Sequence, residues 1–255
     1  TYDPMVQPVD ANPFCWAPLD QEEVSVPYGT AYWNHQLERV FQNLKGDDSR
    51  IIMDRATDFM VRSMDAGKPF FSVIWFHAPH LPVVASRRHL DMYAGNALYP
   101  ASYYGCITAL DEQVGRLRSL LEDHNALHNA MIWFCSDNGP EGQAGDRYTV
   151  EDDARPVQLS GPGSAGPFRG RKRDLYEGGV RVPAFLFWPE MVAGNQTSDF
   201  PAVTSDYLPT ILDVLQIDYP DMRPLDGSSL RAVIAGELDG EREVPIFFNF
   251  RNRMS

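Results

Sequence analysis

The ten residues AMIWFCSDNG, at positions 130–139, decide how this chain is interpreted. They begin as an apolar run that ends at Cys135 and change abruptly to Ser136-Asp137-Asn138-Gly139. A short aromatic run bounded by turn residues is typical of a strand buried on both faces. Ligands of open α/β sheets bind just beyond the carboxyl ends of strands, where an Asp and an Asn offer the oxygen ligands that Ca²⁺ or Mg²⁺ prefers. The alternative interpretation is a plain turn.

Composition and charge narrow the classes of protein. The 255 residues suffice for one large domain or two small ones. No apolar run reaches the length of about 18 residues that predicts a membrane span, and no signal peptide is visible. The formal net charge of −13 disfavours nucleic acids and anionic membranes as partners. The three cysteines, Cys15, Cys106 and Cys135, match no CxxC pattern, and their odd number argues against a disulfide framework.

Helix and strand patterns alternate along the chain. A helix predicted over residues 49–66 precedes the apolar run FFSVIWF at 70–76, and a helix over 103–125 precedes the run at 130–135. A third buried strand, VPAFLFW, is predicted at 182–188. This order predicts an α/β fold with a parallel-type sheet. The remaining predictions are an irregular start over 1–35, a long polar loop over 140–168, helices over 205–215 and 227–235, and a strand over 244–250.

Three loops beside the predicted strands carry residues suited to chemistry. His77 and His80 follow the first strand, Asp137 and Asn138 follow the second, and the cationic stretch Arg169-Gly-Arg-Lys-Arg173 precedes the third. Taken singly, a loop histidine and a charged stretch are more often ordinary surface features. Four cations within five residues of a chain with net charge −13 nevertheless indicate an anion site. A divalent cation, a lysine and a histidine together would form a pocket suited to a tetrahedral oxyanion.

Over residues 69–235 these motifs resemble the sulfatases of the alkaline-phosphatase superfamily, in order and with fitting separations. The stretch that ends in His77-Ala-Pro-His80-Leu-Pro82 is similar to the family's strand and "PHxP" loop, and Cys135-Ser-Asp-Asn-Gly139 is similar to its "SDNG" metal motif. Residues 168–183, FRGRKRDLYEGGVRVP, resemble "LRGGKGTLYEGGIRVP", and residues 205–213, SDYLPTILD, resemble the "DxxPTxLDL" helix.

The resemblance implies an alkaline-phosphatase-like α/β fold, with a mixed, mostly parallel sheet and helices on both faces. It also implies roles for four residues. Asp137 and Asn138 would be Ca²⁺ ligands, and Lys172 would contact the sulfate or its bridging oxygen. His80 would contact the sulfate or act as the acid for the leaving group. The three predicted strands should be neighbours in one sheet, so that His80, Asp137 and Lys172 converge at one edge. The resemblance also implies a periplasmic or secreted location and a sulfated small molecule or glycan as substrate.

The chain also departs from the family pattern. Sulfatases carry a C/S-x-P-x-R motif whose Cys or Ser is oxidised to formylglycine, and none of the three cysteines stands in such a motif. The family's early Asp-Asp metal pair and its Lys-x-x-His segment are absent from the sequence as well. The resemblance therefore implies that residues 1–255 are a partial catalytic domain. It would lack the amino-terminal nucleophile segment and the carboxy-terminal small sheet, so that the chain alone would be inactive.

Three functions remain open on the sequence alone. The first is a segment of a sulfuric ester hydrolase that works with a missing amino-terminal segment or partner chain. The second is a phosphodiesterase or phosphonate hydrolase of the same superfamily, because the nucleophile segment would decide between the two chemistries. The third is a catalytically incomplete fragment that binds an anionic glycan.

Overall fold

The computed structural model describes residues 6–8, 15–16, 25–27, 32–44, 47–80, 83–141, 163–221, 223–238, 240–250 and 253–254. The helices are α1 (Asp48–Asp65), α2 (Arg87–Asp91), α3 (Leu98–Asp123), α4 (Glu177–Val180), α5 (Tyr207–Leu215) and α6 (Arg231–Ile234). The strands are β1 (Val6–Pro8), β2 (Cys15–Trp16), β3 (Ser25–Pro27), β4 (Val83–Val84), β5 (Ile132–Cys135), β6 (Ala184–Phe187), β7 (Asn249–Phe250) and β8 (Arg253–Met254). A 3₁₀ turn, Thr204–Asp206, directly precedes α5.

The chain divides into two compact units. The first unit comprises Thr1–Asn125 and Pro140–Ser164, and the second comprises Ala126–Gly139 and Ala165–Ser255. In the first unit β1 pairs with β3 antiparallel and β2 pairs with β4 parallel. In the second unit β5 pairs with β6 and β7 pairs with β8, both antiparallel. The short strands β1 to β3 fall in the stretch that was predicted to be irregular.

Helix α1 forms where the apolar spacing predicts it. The N-cap is Asp47, whose Oδ1 accepts the Ser49 N–H at 2.9 Å. Asp48 therefore lies in the first turn, where its carboxylate is 1% exposed. Gly67 follows the helix with φ of +62°, a conformation that glycine adopts without strain.

Helix α3 supplies much of the core of the first unit. It begins five residues earlier than predicted because Pro100 lies in its first turn, where the missing N–H has no intrahelical partner to lose. Cys106 is fully buried and packs with a cluster formed by Ala78, Val83 and Ala85. The Arg116 guanidinium meets Asp54 of α1 at 2.9 Å, which ties the two long helices together.

The prediction of a buried strand at residues 70–76 is wrong for the described part of the chain. The segment is extended but joins no strand ladder there. Its alternate side chains Phe71, Val73 and Trp75 are 67%, 62% and 81% exposed. An apolar run reports only that the chain is suited to a strand, and it does not supply the neighbouring strand that would cover the second face.

Strands β5 and β6 pair as neighbours, but in the opposite direction to that predicted. The ladder is antiparallel, with Phe134 opposite Phe185 and Trp133 opposite Leu186. Trp133 packs on Tyr207 of α5 with ring centroids 4.6 Å apart, whereas Phe134 and Phe185 are 38% and 63% exposed on the other face. The pair is therefore covered on one face in the described residues, and burial on both faces is also wrong.

The remaining predicted elements are shorter than expected or fall outside the described residues. Helix α5 contains Pro209 in its first turn, as predicted. The helix predicted over 227–235 is reduced to α6, and the strand predicted over 244–250 is reduced to β7. Of the loop predicted over 140–168, residues 142–162 lie outside the described part.

A buried carboxylate holds the carboxy-terminal segment to α5. Asp206 is fully buried and accepts two hydrogen bonds from the Arg242 guanidinium, at 2.7 and 2.8 Å. It also accepts the backbone N–H groups of Val203 and Ser228, each at 2.8 Å. Burial raises the pKa of Asp206, but these hydrogen bonds more than offset that effect and hold the pKa below its usual value.

We expect Arg242→Met to destabilise the chain strongly. It leaves the Asp206 carboxylate buried without its cationic partner, a change that costs about 3–5 kcal/mol. The matched control is Arg223→Met, because Arg223 is 84% exposed in its pair with Asp221 and an exposed pair is worth about 0–1 kcal/mol. Urea unfolding monitored by circular dichroism measures both variants.

The pH dependence of the same measurement tests the cause. Because the pKa of Asp206 is lowered on folding, its stabilisation is present above the pKa of the unfolded chain and is lost as pH falls through the folded value. The difference between wild type and Arg242→Met should therefore shrink in acid. Equal stability of the Arg242 and Arg223 variants at neutral pH would contradict this account.

Candidate functional site

The turn after β5 places Asp137 and Asn138 at the end of the strand. The Ser136 hydroxyl donates to the Asn138 carbonyl at 2.9 Å, which closes the turn. The Asn138 side-chain amide nitrogen donates to the Gly139 carbonyl at 2.8 Å, so its Oδ1 is the atom available to a cation. Asp137 is exposed and Asn138 is half-buried. The turn thus presents one carboxylate and one amide oxygen, which are ligands suited to Ca²⁺.

The cationic loop before β6 folds directly against this turn. The Gly139 N–H donates to the Gly179 carbonyl at 2.9 Å, and the Gly178 N–H donates to the Arg169 carbonyl at 2.8 Å. The antiparallel ladder places the end of β5 beside the start of β6, so the two loops lie at the same end of the strand pair. The structure therefore brings the Asp137-Asn138 turn and the loop that carries Lys172 together.

Glycines make this close approach feasible. A Cβ on Gly139 would lie 1.9 Å from the Gly178 carbonyl oxygen, and a Cβ on Gly178 would lie 2.1 Å from the Gly170 carbonyl oxygen. A Cβ on Gly179 would lie 2.1 Å from the Asp174 carbonyl oxygen. These are backbone atoms that cannot rotate away. The pair Gly178-Gly179 therefore has a structural role, because it permits this close backbone approach.

The cations of this loop are held in different ways. The Arg169 guanidinium lies over the Tyr176 ring at 3.9 Å from its centroid, and Arg181 pairs with Glu177 at 3.0 Å. The Asp174 carboxylate accepts the Arg171 backbone N–H at 3.0 Å, which fixes the tight turn around Lys172. Lys172 itself is half-buried. The loop is thus an ordered, positively charged segment rather than a loose basic run.

The histidine loop lies in the first unit. His80 is exposed, and its backbone N–H donates to the His77 carbonyl at 2.7 Å. Leu81 and Pro82 of the motif lie outside the described residues. Because Asp137 and Lys172 belong to the second unit, the convergence of His80 with them stays a prediction. Arg88 of α2 contacts Glu112 of α3, which favours a structural role for that arginine.

His77 makes a contact that sequence reasoning missed. Its Nδ1 lies 3.0 Å from Oδ2 of the buried Asp48, and the Tyr32 hydroxyl donates to the other oxygen of the same carboxylate. The hydrogen bond to Asp48 raises the pKa of His77, while partial burial opposes the shift. The sequence did contain a signal for this contact, the pair Asp47-Asp48 at the start of a predicted helix. One acidic residue suffices to cap a helix, so the second was free to have another partner.

Comparison with known proteins identifies the family. The family model described as Sulfatase matches residues 23–217 of this chain. The chain belongs to the sulfatase family. The matched residues include His80, Asp137, Asn138 and Lys172.

Individual sulfatases resemble the chain over most of its length. An N-acetylgalactosamine-6-sulfatase of Sus scrofa is 32% identical over 213 residues, which cover 81% of this chain and 36% of that protein. Arylsulfatase G of Homo sapiens is 30% identical over 193 residues, which cover 72% of this chain and 33% of that protein. The chain therefore spans about a third of the length of these curated relatives.

A solved structure shares the fold. The crystal structure of i-CgsB in complex with a neocarrahexaose matches with a TM-score of 0.67 and 24% sequence identity. The match covers 78% of this chain and 40% of that one. The predicted α/β, alkaline-phosphatase-like fold class is thereby confirmed, although β5 and β6 run antiparallel.

Two further observations apply to the part of the sulfatase chain that the structure describes. No group of three or more His, Cys, Asp or Glu side chains there is placed to hold a metal ion. The side-chain oxygens of Asp137 and Asn138 are suitable ligands for a hard cation such as Ca²⁺. Ca²⁺ takes about six to eight oxygen ligands, so these two side chains would supply only part of its coordination. No helix among these residues has the length and apolar character needed to cross a bilayer.

We expect Gly139→Ala to separate the two loops of the site. The new methyl group would overlap the Gly178 carbonyl, and relief of such overlap costs about 1–3 kcal/mol. In this variant the amide of residue 139 should lose the protection from hydrogen exchange that it has in the wild type, measured by NMR. Gly194→Ala in the same unit is the control, because a Cβ there meets nothing within 4 Å. Unchanged exchange of the residue-139 amide in Gly139→Ala, relative to the wild type, would contradict the contact.

Proposed function

We propose that the chain is part of a sulfuric ester hydrolase that acts on sulfated carbohydrate. Membership of the sulfatase family supports the reaction class. The substrate class is supported by the names of similar proteins, which include an N-acetylgalactosamine-6-sulfatase and an enzyme crystallised with a neocarrahexaose. A secreted or periplasmic location is proposed on the same family grounds.

The observation that carries the proposal is the hydrogen bond between Gly139 and Gly179. It holds a turn with two oxygen ligands against a loop with four cations in five residues. A sulfate ester carries negative charge on its non-bridging oxygens, and further charge develops on the bridging oxygen as the ester bond breaks. Fixed cations beside that charge stabilise the transition state without reorganisation.

Each predicted residue has a role in this proposal. Lys172 donates to the sulfate or its bridging oxygen and offsets the negative charge there. His80 contacts the sulfate or gives a proton to the leaving oxygen, and it serves this role when the longer protein brings it to the same site. Asp137 and Asn138 would hold Ca²⁺, which supplies further positive charge next to the sulfate oxygens.

The nucleophile is supplied from outside these 255 residues. They contain no C/S-x-P-x-R motif, so no residue here stands where formylglycine would form. Anion binding alone accelerates nothing unless the transition state is bound more tightly than the ground state. We therefore propose that the chain alone, a partial catalytic domain, binds sulfate esters without turning them over, and that a segment or partner carrying the motif completes the enzyme.

We expect turnover of an aryl sulfate to be absent from the purified chain and to appear when a C-x-P-x-R segment is restored. Lys172→Ala should then reduce kcat/KM by about two to three orders of magnitude, as removal of an oxyanion donor does. The matched control is Lys68→Ala, because Lys68 is an exposed lysine of the first unit. A continuous aryl sulfate assay measures all four proteins.

Three results would change the proposal. Activity in the bare chain that disappears in Cys15→Ala would make Cys15 the nucleophile. Equal activity of the restored protein and its Lys172→Ala variant would remove Lys172 from the site. Preference of the restored protein for an aryl phosphate diester over the sulfate would favour phosphodiester chemistry instead.

We expect the chain by itself to bind Ca²⁺ only weakly. Asp137 and Asn138 supply two side-chain ligands of about six to eight, and each missing ligand is replaced by water. Isothermal titration calorimetry should show millimolar or weaker binding that Asp137→Ala abolishes. Tight, stoichiometric binding that survives Asp137→Ala would place the ligands elsewhere in the chain.

A further inference from the structure

Contacts at two adjacent residues, His77 and Ala78, hold the loop that carries His80. Ala78 is buried in the core beside Val83, Ala85 and Cys106. One residue earlier, the His77 imidazole lies 3.0 Å from the buried carboxylate of Asp48. The packing of the Ala78 methyl group alone would fix the position of the loop but not its orientation. The additional contact of His77 with Asp48 fixes the orientation as well.

The Asp48 carboxylate is suited to hold a histidine. It is 1% exposed, and a buried carboxylate is stable only when it receives strong hydrogen bonds or a cationic partner. The Tyr32 hydroxyl donates to one of its oxygens and His77 to the other. The raised pKa of His77 agrees with this, because the imidazolium is the form that the carboxylate favours.

The backbone links this pair to His80. The His80 N–H donates to the His77 carbonyl at 2.7 Å, so residues 77–80 form one turn. His77 is 56% exposed at its side chain and His80 is exposed, whereas Asp48 is buried beneath the loop. A movement of His77 away from Asp48 would therefore carry His80 with it.

We propose that Asp48 and His77 are positioning residues for His80: their contact fixes the turn that presents the His80 imidazole to the sulfate ester. This inference rests on the proposed function for the role of His80, but the contact itself does not. A misplacement of about 1 Å in a reacting group can cost on the order of a hundredfold in rate. A charge-assisted anchor one turn away is a physical means of preventing it.

The contact is tested first without any catalysis. In the 255-residue chain, Asp48→Asn and His77→Ala should each raise the hydrogen-exchange rate of the His80 amide by about tenfold, measured by NMR. Tyr32→Phe is the matched control, because it removes a donor from the same carboxylate and leaves the His77 contact in place. If Asp48→Asn does not fold, His77→Ala tests the same contact from its exposed side. Unchanged exchange at His80 in His77→Ala would overturn the proposal.

The catalytic consequence is tested in the restored, active protein. His77→Ala should lower kcat by about tenfold to a hundredfold with little change in KM. His77→Gln, whose amide can still donate to Asp48, should recover part of the loss. An unchanged kcat in His77→Ala, in a protein that Lys172→Ala inactivates, would overturn the positioning role.

The two proposals fail in different ways. If Lys172→Ala leaves activity unchanged, the proposed function fails. The role of Asp48 and His77 is then decided by the hydrogen-exchange rate of the His80 amide alone. If Lys172→Ala inactivates the protein and both His80 readouts are unaffected in His77→Ala, only the positioning proposal fails.

Discussion

The hydrogen bond from the Gly139 N–H to the Gly179 carbonyl is the contact on which the candidate site depends. It joins the turn after β5 to the loop before β6 at 2.9 Å, a separation that side chains on either glycine would not permit. Three glycines at this junction each face a carbonyl oxygen where a Cβ would stand. The turn that carries Asp137 and Asn138 is consequently held to the loop that carries Lys172 by backbone contacts.

Buried carboxylates organise both units by the same physical rule. An ionised carboxylate removed from water must gather strong partners, and these come from distant parts of the chain. Asp206 draws in Arg242, 36 residues away, and so fixes the carboxy-terminal segment to α5. Asp48 bonds to Tyr32 and His77, and these contacts fix the histidine loop to the start of α1. The first arrangement serves stability, whereas the second bears on a residue proposed for catalysis.

The sequence predicted helices correctly where their formation depends on residues close together in the chain. The apolar spacing and caps of α1, and the position of Pro209 in α5, depend on interactions within a few residues. The direction of the β5–β6 pair did not follow, and the predicted strand at 70–76 has no strand partner among the described residues. An apolar run such as residues 130–135 carries no information on whether its neighbour runs parallel or antiparallel. The turn after β5 meets the loop before β6, but it does so through an antiparallel pair and not at a shared edge of parallel strands.

The sequence by itself determined the family and the residues proposed to carry its chemistry, because these lie in short contiguous motifs around His80, Asp137 and Lys172. Only the tertiary structure decided which of these motifs meet and what holds them. The contact of Asp48 with His77 joins residues whose spacing belongs to no helical or strand period. Such contacts depend on how separate segments pack, and burial of charge then selects the partners that remain.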